Sequence, residues 1–189
     1  MMNSISLARL KSKFDQPIVL PEQSKLLEPS AILILLRQQN HTIEMILTRR
    51  AFHLKNHPGQ LSFAGGRQED ADQNLQQTAI REAHEEIGLP LEQVEVIGCF
   101  KGIETISGFW MTPIIAYTDY QGEWTIDTNE VHSMFSIPLD WAMQKNRWRE
   151  ENGIFRGERR SYYCAWWKGQ LVWGATAQIL NKMNQLIHS

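Results

Sequence analysis

Arg81, Glu82, Glu85 and Glu86 fall within the six residues REAHEE. At 100° per residue, Glu82 and Glu86 share one helical face, four positions apart, and Glu85 lies on its flank. Ile80, Ala83 and Ile87 fall on the other side and can pack inward. Like charges so crowded repel one another. Carboxylate oxygens are the hard ligands that Mg²⁺ or Mn²⁺ prefer, and such an ion would offset the repulsion and neutralise phosphate oxygens. Arg81 can pair with Glu85 at i,i+4 and hold it in place. The competing reading is an ordinary solvated acidic face, which REAHEE alone would favour. Gly65-Gly66 before the segment, a Gly stop at Gly88 and the loop ahead of it move the balance to a metal site.

The segment must be held by neighbouring elements. A helix is predicted over Leu75–Gly88, with Asp70, Asp72 and Asn74 as N-cap candidates, Gly88 as the stop and Pro90 preventing continuation. Residues 51–66, rich in His, Gly and Pro, read as a long loop, a length that is usually functional or disordered. AILILLRQ (31–38) is a buried-strand run, and TIEMILTRR (42–50) is its hairpin partner across Gln39-Asn40-His41. VEVIGCFKGIET and FWMTPIIAYTDY read as two strands about Ser107-Gly108, and VHSMFSIPL as another. A short helix follows at 140–145, then a last hairpin in SYYCAWWKGQLVWG. Ala175, Ile179, Leu180, Met183 and Leu186 give the closing helix an apolar stripe. Residues 1–28 form an extension with a short helix at 5–14 ended by Pro17 and Pro21, and 29–189 form a single domain. Strands and helices mix without βαβ alternation, so the fold class is α+β with a mixed sheet.

Composition narrows the field. The 189 residues are 42% hydrophobic and 21% charged, as in a globular chain. A net charge of −2 lacks the basic footprint of a nucleic-acid binder. No apolar run reaches the roughly 20 residues of a membrane span, and the N-terminus lacks a secretory apolar core. Cys99 and Cys164 make no CxxC pair, so a reducing cytoplasm is expected. Cys164 has no neighbour to activate it and is given no nucleophilic role. The aromatic run YYCAWW could stack on adenine, but core packing is the better assignment for most of it.

With these residues in view, Gly66 to Leu89 resembles the Nudix box of phosphoanhydride hydrolases. The family pattern Arg-Glu-apolar-x-Glu-Glu-x-Gly-apolar reads here as Arg81-Glu82-Ala83-His84-Glu85-Glu86-Ile87-Gly88-Leu89. Asp72 stands where the box has a Glu, with one extra residue before Arg81. That longer, Asp-bearing form is similar to the coenzyme A pyrophosphatase subgroup. The preceding LTRRAFHLKNHPGQLSFAGG (47–66) resembles the subgroup's upstream signature, with Leu54, Lys55, His57, Gly59, Gln60, Phe63, Gly65 and Gly66 in place and Ala64 replacing a Pro. NEVHSMFSIPL and VWGATAQIL resemble later subgroup segments.

The resemblance implies a Nudix-type α/β/α sandwich and hydrolysis of the diphosphate bond of coenzyme A or a derivative, giving 4′-phosphopantetheine and adenosine 3′,5′-bisphosphate. It implies Mg²⁺ or Mn²⁺ held by Glu82 and Glu86, with Glu85 as a further ligand or an orienter of water. The general base is Glu85 or Glu130, and both stay open. Lys55, His57 and Arg50 are expected on the substrate phosphates, with Gly65, Gly66 and Arg81 also lining the substrate. Glu69 and Asp72 are expected to cap the helix or order the loop, Glu104 to be structural, and His53 and His84 to lie outside the site. A homodimer is possible, as in Nudix relatives. The alternatives are a Nudix hydrolase of a dinucleotide or ADP-ribose, and a Nudix-like module that binds nucleotide without catalysis.

Overall fold

An apolar run six residues long can be buried only if both faces of its strand are covered. In the computed structural model, which describes residues 5–15, 17, 26–155 and 157–189, this holds for β1 (Glu28–Gln39). Ala31, Leu33 and Leu35 face a cluster with α2 (Leu75–Ile87), while Ile32, Ile34 and Leu36 face a second cluster with α4 (Gly174–His188) and α1 (Leu7–Phe14). Helices therefore cover both faces of one sheet, the α/β/α layering expected.

The sheet is mixed. β1 runs parallel to β7 (Phe109–Thr118), and its other ladders are antiparallel. β2 (Thr42–Arg50) joins β1 by a two-residue turn at Asn40 and His41, both at positive φ, and pairs in turn with β8 (Val131–Pro138). β5 (Glu95–Cys99) and β6 (Ile103–Glu104) add to β7. A short helix, α3, spans Leu139–Ala142, within the region expected but starting one residue earlier.

Two expectations need correction. The region 51–66 is not wholly loop: Leu61–Ser62 (β3) pairs with β2, and Ala64–Arg67 (β4) pairs with β1. Glycine-rich Ala64–Arg67 carries no alternating side-chain pattern, so pairing to β1 rather than local preference makes it a strand. The last hairpin, β10 (Glu158–Trp167) and β11 (Gln170–Trp173), is joined by β9 (Arg149–Phe155), which the sequence reading lacked. β9 begins REEN, a polar run with no strand signature, and is held by its ladder to β10. Within YYCAWW most side chains are buried or half-buried, and Trp167 packs on Trp141 at 4.9 Å, but Trp166 is 66% exposed.

The N-terminal helix is seated in the same core as the sheet. Ser6 caps it, accepting from the Arg9 N–H at 3.3 Å, and Leu10 and Phe14 are fully buried. Arg9 donates to the Ile187 carbonyl at 2.9 Å, and the Ile5 N–H donates to Asp140 at 3.0 Å. The expected linker after it, apart from Pro17, lies outside the described residues up to residue 25. No helix among the described residues is long and apolar enough to cross a membrane.

At Gly98 on β5, an added Cβ would lie 1.9 Å from the Phe14 carbonyl oxygen. Backbone cannot yield as a flexible side chain does, so Gly98→Ala must unseat the end of α1. A loss of about 2 kcal/mol or more in urea denaturation is expected, at the upper part of the overpacking range. A loss under about 0.5 kcal/mol, within the range of ordinary surface substitutions, would show that the helix is not held there.

Candidate active site

The site starts where two strands part. β4 pairs with β1 from Ser30 to Leu33, and β2 pairs with it from Leu35 to Gln39. Beyond Ile46, β2 leaves β1 and takes β3 as a partner, with Thr48 opposite Ser62. One side chain of α2 reaches donors on both diverging strands. The Glu86 carboxylate accepts from the Gly65 N–H of β4 at 3.1 Å and from the Thr48 hydroxyl of β2 at 3.5 Å.

Helix α2 is positioned for this by its own ends and inner face. Asn74 is the N-cap, accepting from the Gln77 N–H at 3.0 Å, and Gly88, at φ 67, is the C-cap. Leu75, Ala79, Ala83 and Ile87 pack on the sheet, and Glu86 lies among them at 6% exposure. The inner edge of the acidic face is therefore not solvated, whereas Glu85 is exposed. Burial pushes the Glu86 carboxyl up to about 8, and the charges of Glu130 and Glu82 add to this. The Gly65 N–H and the charge of Arg50 oppose it. Burial also raises Glu82, against the opposing charge of Arg81.

Arg81 organises the outer part. Its Nε and one terminal nitrogen donate to the two Asp72 oxygens, both at 3.0 Å, a bidentate pair. That terminal nitrogen also donates to the Arg67 carbonyl at 3.2 Å. The other terminal nitrogen meets Glu85 at 2.9 Å and Glu82 at 3.0 Å. Hydrogen bonding to Arg81 holds Asp72 down at about 2, against its burial, with the Glu69 N–H assisting. Asp72 thus orders the loop before the helix, accepting from Glu69 at 2.9 Å, and ties that loop to α2. All three guanidinium nitrogens are engaged by protein oxygens, so a substrate phosphate would have to displace one of these contacts.

Gly66 explains the second glycine of the pair. A Cβ there would come within 2.5 Å of Glu82 Oε1, so glycine lets the Glu82 carboxylate lie against the β4 backbone. Glu130 arrives from far along the chain. The Asp127 N–H donates to the Glu86 carbonyl at 3.0 Å, and the Asp127 carbonyl accepts from Glu130 and Val131 at 3.1 and 2.8 Å. The C-terminal turn of α2 therefore fixes the segment carrying Glu130, whose charge raises both Glu82 and Glu86. Thr48 and Asp127 were not singled out from the sequence. Thr48 lies within the quoted LTRR stretch, but Asp127 has no local signal.

The other expected residues divide. Arg50 ends β2, partly exposed, donates to the Asn56 carbonyl at 3.4 Å, and its charge reaches Glu86. Lys55 and His57 are exposed on the loop and, among the described residues, make no ion pair with the helix carboxylates. His53 faces the Asn129 carbonyl at 3.0 Å, and His84 faces the Leu89 carbonyl at 2.9 Å. Glu104 is exposed on β6.

These residues fit a divalent cation. Glu86 is a buried carboxylate with no cationic side chain within ion-pair distance among the described residues, and Glu82 and Glu130, whose charges act on it, offer further oxygen ligands. As they stand, no three His, Cys, Asp or Glu side chains among the described residues gather closely enough to hold an ion. Arg81 draws Glu82 and Glu85 to itself instead.

The chain is similar to known proteins. The NUDIX domain family model matches residues 26–156. A Nudix hydrolase, NudL, of Salmonella paratyphi B, itself uncharacterised, is 35% identical over 139 residues, covering 74% of this chain and 72% of the relative. Among solved structures, the M. smegmatis Nudix hydrolase RenU superposes with a TM-score of 0.52 at 24% identity, covering 60% of this chain and 71% of that one. A C. elegans Ap4A hydrolase gives 0.51 at 18% identity, covering 62% and 84%. These two bear on the fold alone.

The Asp72–Arg81 pair has a defined pH signature. Asp72 is lowered in the fold, so its contribution is complete above the ordinary carboxylate range and is lost as pH falls through about 2. Asp72→Asn is expected to cost about 1.5–3 kcal/mol at pH 7, the range for hydrogen bonds to charged groups. The gap from wild type should close between about pH 4 and pH 2 in denaturant titrations. A gap independent of pH would refute the pairing.

Proposed function

The chain belongs to the NUDIX domain family, and from that premise we propose that it hydrolyses the diphosphate bond of coenzyme A or a derivative. As a Nudix hydrolase it acts on pyrophosphate bonds in nucleoside diphosphate derivatives. The finer reading rests on one observation. The stretch LTRRAFHLKNHPGQLSFAGG, similar to the coenzyme A subgroup signature, runs without interruption from β2 through the loop to Gly65, which bonds Glu86, and Gly66, which lies against Glu82. The products are 4′-phosphopantetheine and adenosine 3′,5′-bisphosphate. A cytoplasmic setting belongs to the same reading.

Glu82 and Glu86, joined by Glu85, would hold Mg²⁺ or Mn²⁺, which supplies charge neutralisation at the diphosphate and acidifies water. Arg50, Lys55 and His57 bind the phosphate oxygens as the positive groups of the adjoining loop. Arg81 holds Glu85 and Glu82 in place through one terminal nitrogen. We assign the general base to Glu130. Glu85 is occupied by its ion pair with Arg81, whereas Glu130 makes no ion pair among the described residues. Glu130 takes a proton from water as its oxygen bonds to phosphorus, and the bridging oxygen leaves with the bond's electron pair. Thr48 and the Gly65 N–H keep the Glu86 carboxylate aimed throughout.

Product identification by mass spectrometry after incubation with coenzyme A and Mg²⁺ or Mn²⁺ tests the substrate. Faster turnover of a dinucleotide or ADP-ribose would overturn it. Glu130→Gln is expected to lower kcat by about 10²–10⁴ with KM little changed, and Glu85→Gln to lower it less. The reverse order would move the base to Glu85. Glu86→Gln is expected to abolish both turnover and the rise in melting temperature on adding Mn²⁺. A retained Mn²⁺ shift would show that Glu86 does not bind the ion.

A further inference from the structure

We propose that Phe52, standing edge-on to His132, is the platform on which the nucleobase of the substrate stacks. The inference rests on the substrate being a nucleotide derivative, as proposed above, but not on its being coenzyme A.

Phe52 is 62% exposed, which costs free energy unless something covers the ring. It is nevertheless held. Its ring lies 4.8 Å from that of His132 at an interplanar angle of 68°, and it packs so closely over Gly59 that a Cβ there would come within 2.5 Å. The loop beneath is closed on itself. The Arg50 N–H donates to the Gln60 carbonyl at 3.0 Å, and the Gly59 N–H donates to the Arg50 carbonyl at 3.1 Å. Arg49 donates to the Gly59 carbonyl at 2.9 Å, so the backbone under the ring is clamped from its side chain as well.

This clamped ring belongs to the same unit as the catalytic groups. The Ala51 N–H, next to Phe52, donates to the Glu130 carbonyl at 2.8 Å. Arg50, on its other flank, acts electrostatically on Glu86. His132 follows Glu130 by two residues. An ordered aromatic ring left uncovered beside phosphate-binding and acidic groups is matched by a ligand joining a flat ring to a diphosphate. Stacking gives a π-face for any base without hydrogen-bond readout, so it supplies affinity for the nucleoside half without choosing the base. The other large exposed apolar side chains among the described residues, Leu26, Leu91, Ile106, Ile154 and Trp166, lie on segments that contribute no residue to the site.

The test separates base from diphosphate. Dissociation constants for ADP and for inorganic pyrophosphate are measured by calorimetry, with the metal present, on wild type, Phe52→Ala and Phe52→Trp. Phe52→Ala is expected to weaken ADP by about fivefold or more and leave pyrophosphate within twofold, and Phe52→Trp to restore ADP. Unchanged ADP binding would overturn the proposal. Equal weakening of both ligands would also overturn it, since that marks general damage to the loop. Wild-type turnover of coenzyme A is scored separately, so a wrong substrate assignment and a wrong platform give different results.

Discussion

A carboxylate among packed apolar side chains constrains everything around it. Glu86 sits on the inner face of α2, between Ala83 and Ile87, where charge is costly. The fold tolerates it because the sheet splits beneath it. One departing strand offers a backbone N–H and the other a hydroxyl, one to each carboxylate oxygen. Were β2 to follow β1 along its whole length, Thr48 would have β1 rather than β3 and Glu86 as neighbours. The break in the ladder is thus tied to the acid it accommodates, and a bound cation would complete the compensation.

Arg81 solves the complementary problem at the surface. Three carboxylates meet one guanidinium, two of them on the helix and one, Asp72, on the preceding loop. The planar fork suits the bidentate Asp72 contact, and the remaining nitrogen spans Glu82 and Glu85. Lysine could provide the charge but not this geometry. A single side chain therefore sets the spacing of the outer acids and fastens the glycine-led loop, through the Arg67 carbonyl, to the helix that follows.

Much of this is legible in the sequence. Ala83 and Ile87 read as inward-packing positions and are buried, but Glu86, read as lying on the opposite face, is buried beside them, and Ile80 is only half-buried; Gly88 with Pro90 marks the end of the helix. The hairpin at Asn40-His41 and the two-sided burial of 31–36 were likewise legible, because runs and turns are local signals. β4 and β9 were not. AGGR and REEN have no alternation to detect, and each is a strand only because β1 or β10 supplies its hydrogen-bond partners. In the same way, the Arg81–Glu85 pair follows from helical spacing, whereas the bidentate bond to Asp72 depends on how the loop returns.

The sequence by itself determined which groups share a helical face, where that helix ends, and that acids outnumber nearby bases along it. Those properties depend on bond geometry over a few residues. Only the tertiary structure decided that Glu86 is buried while Glu85 is exposed, that Asp127 anchors the segment bearing Glu130 to the α2 carbonyl, and that Phe52 is clamped beside them. Solvation and charge at a side chain are set by whatever packs against it, and those neighbours come from distant parts of the chain.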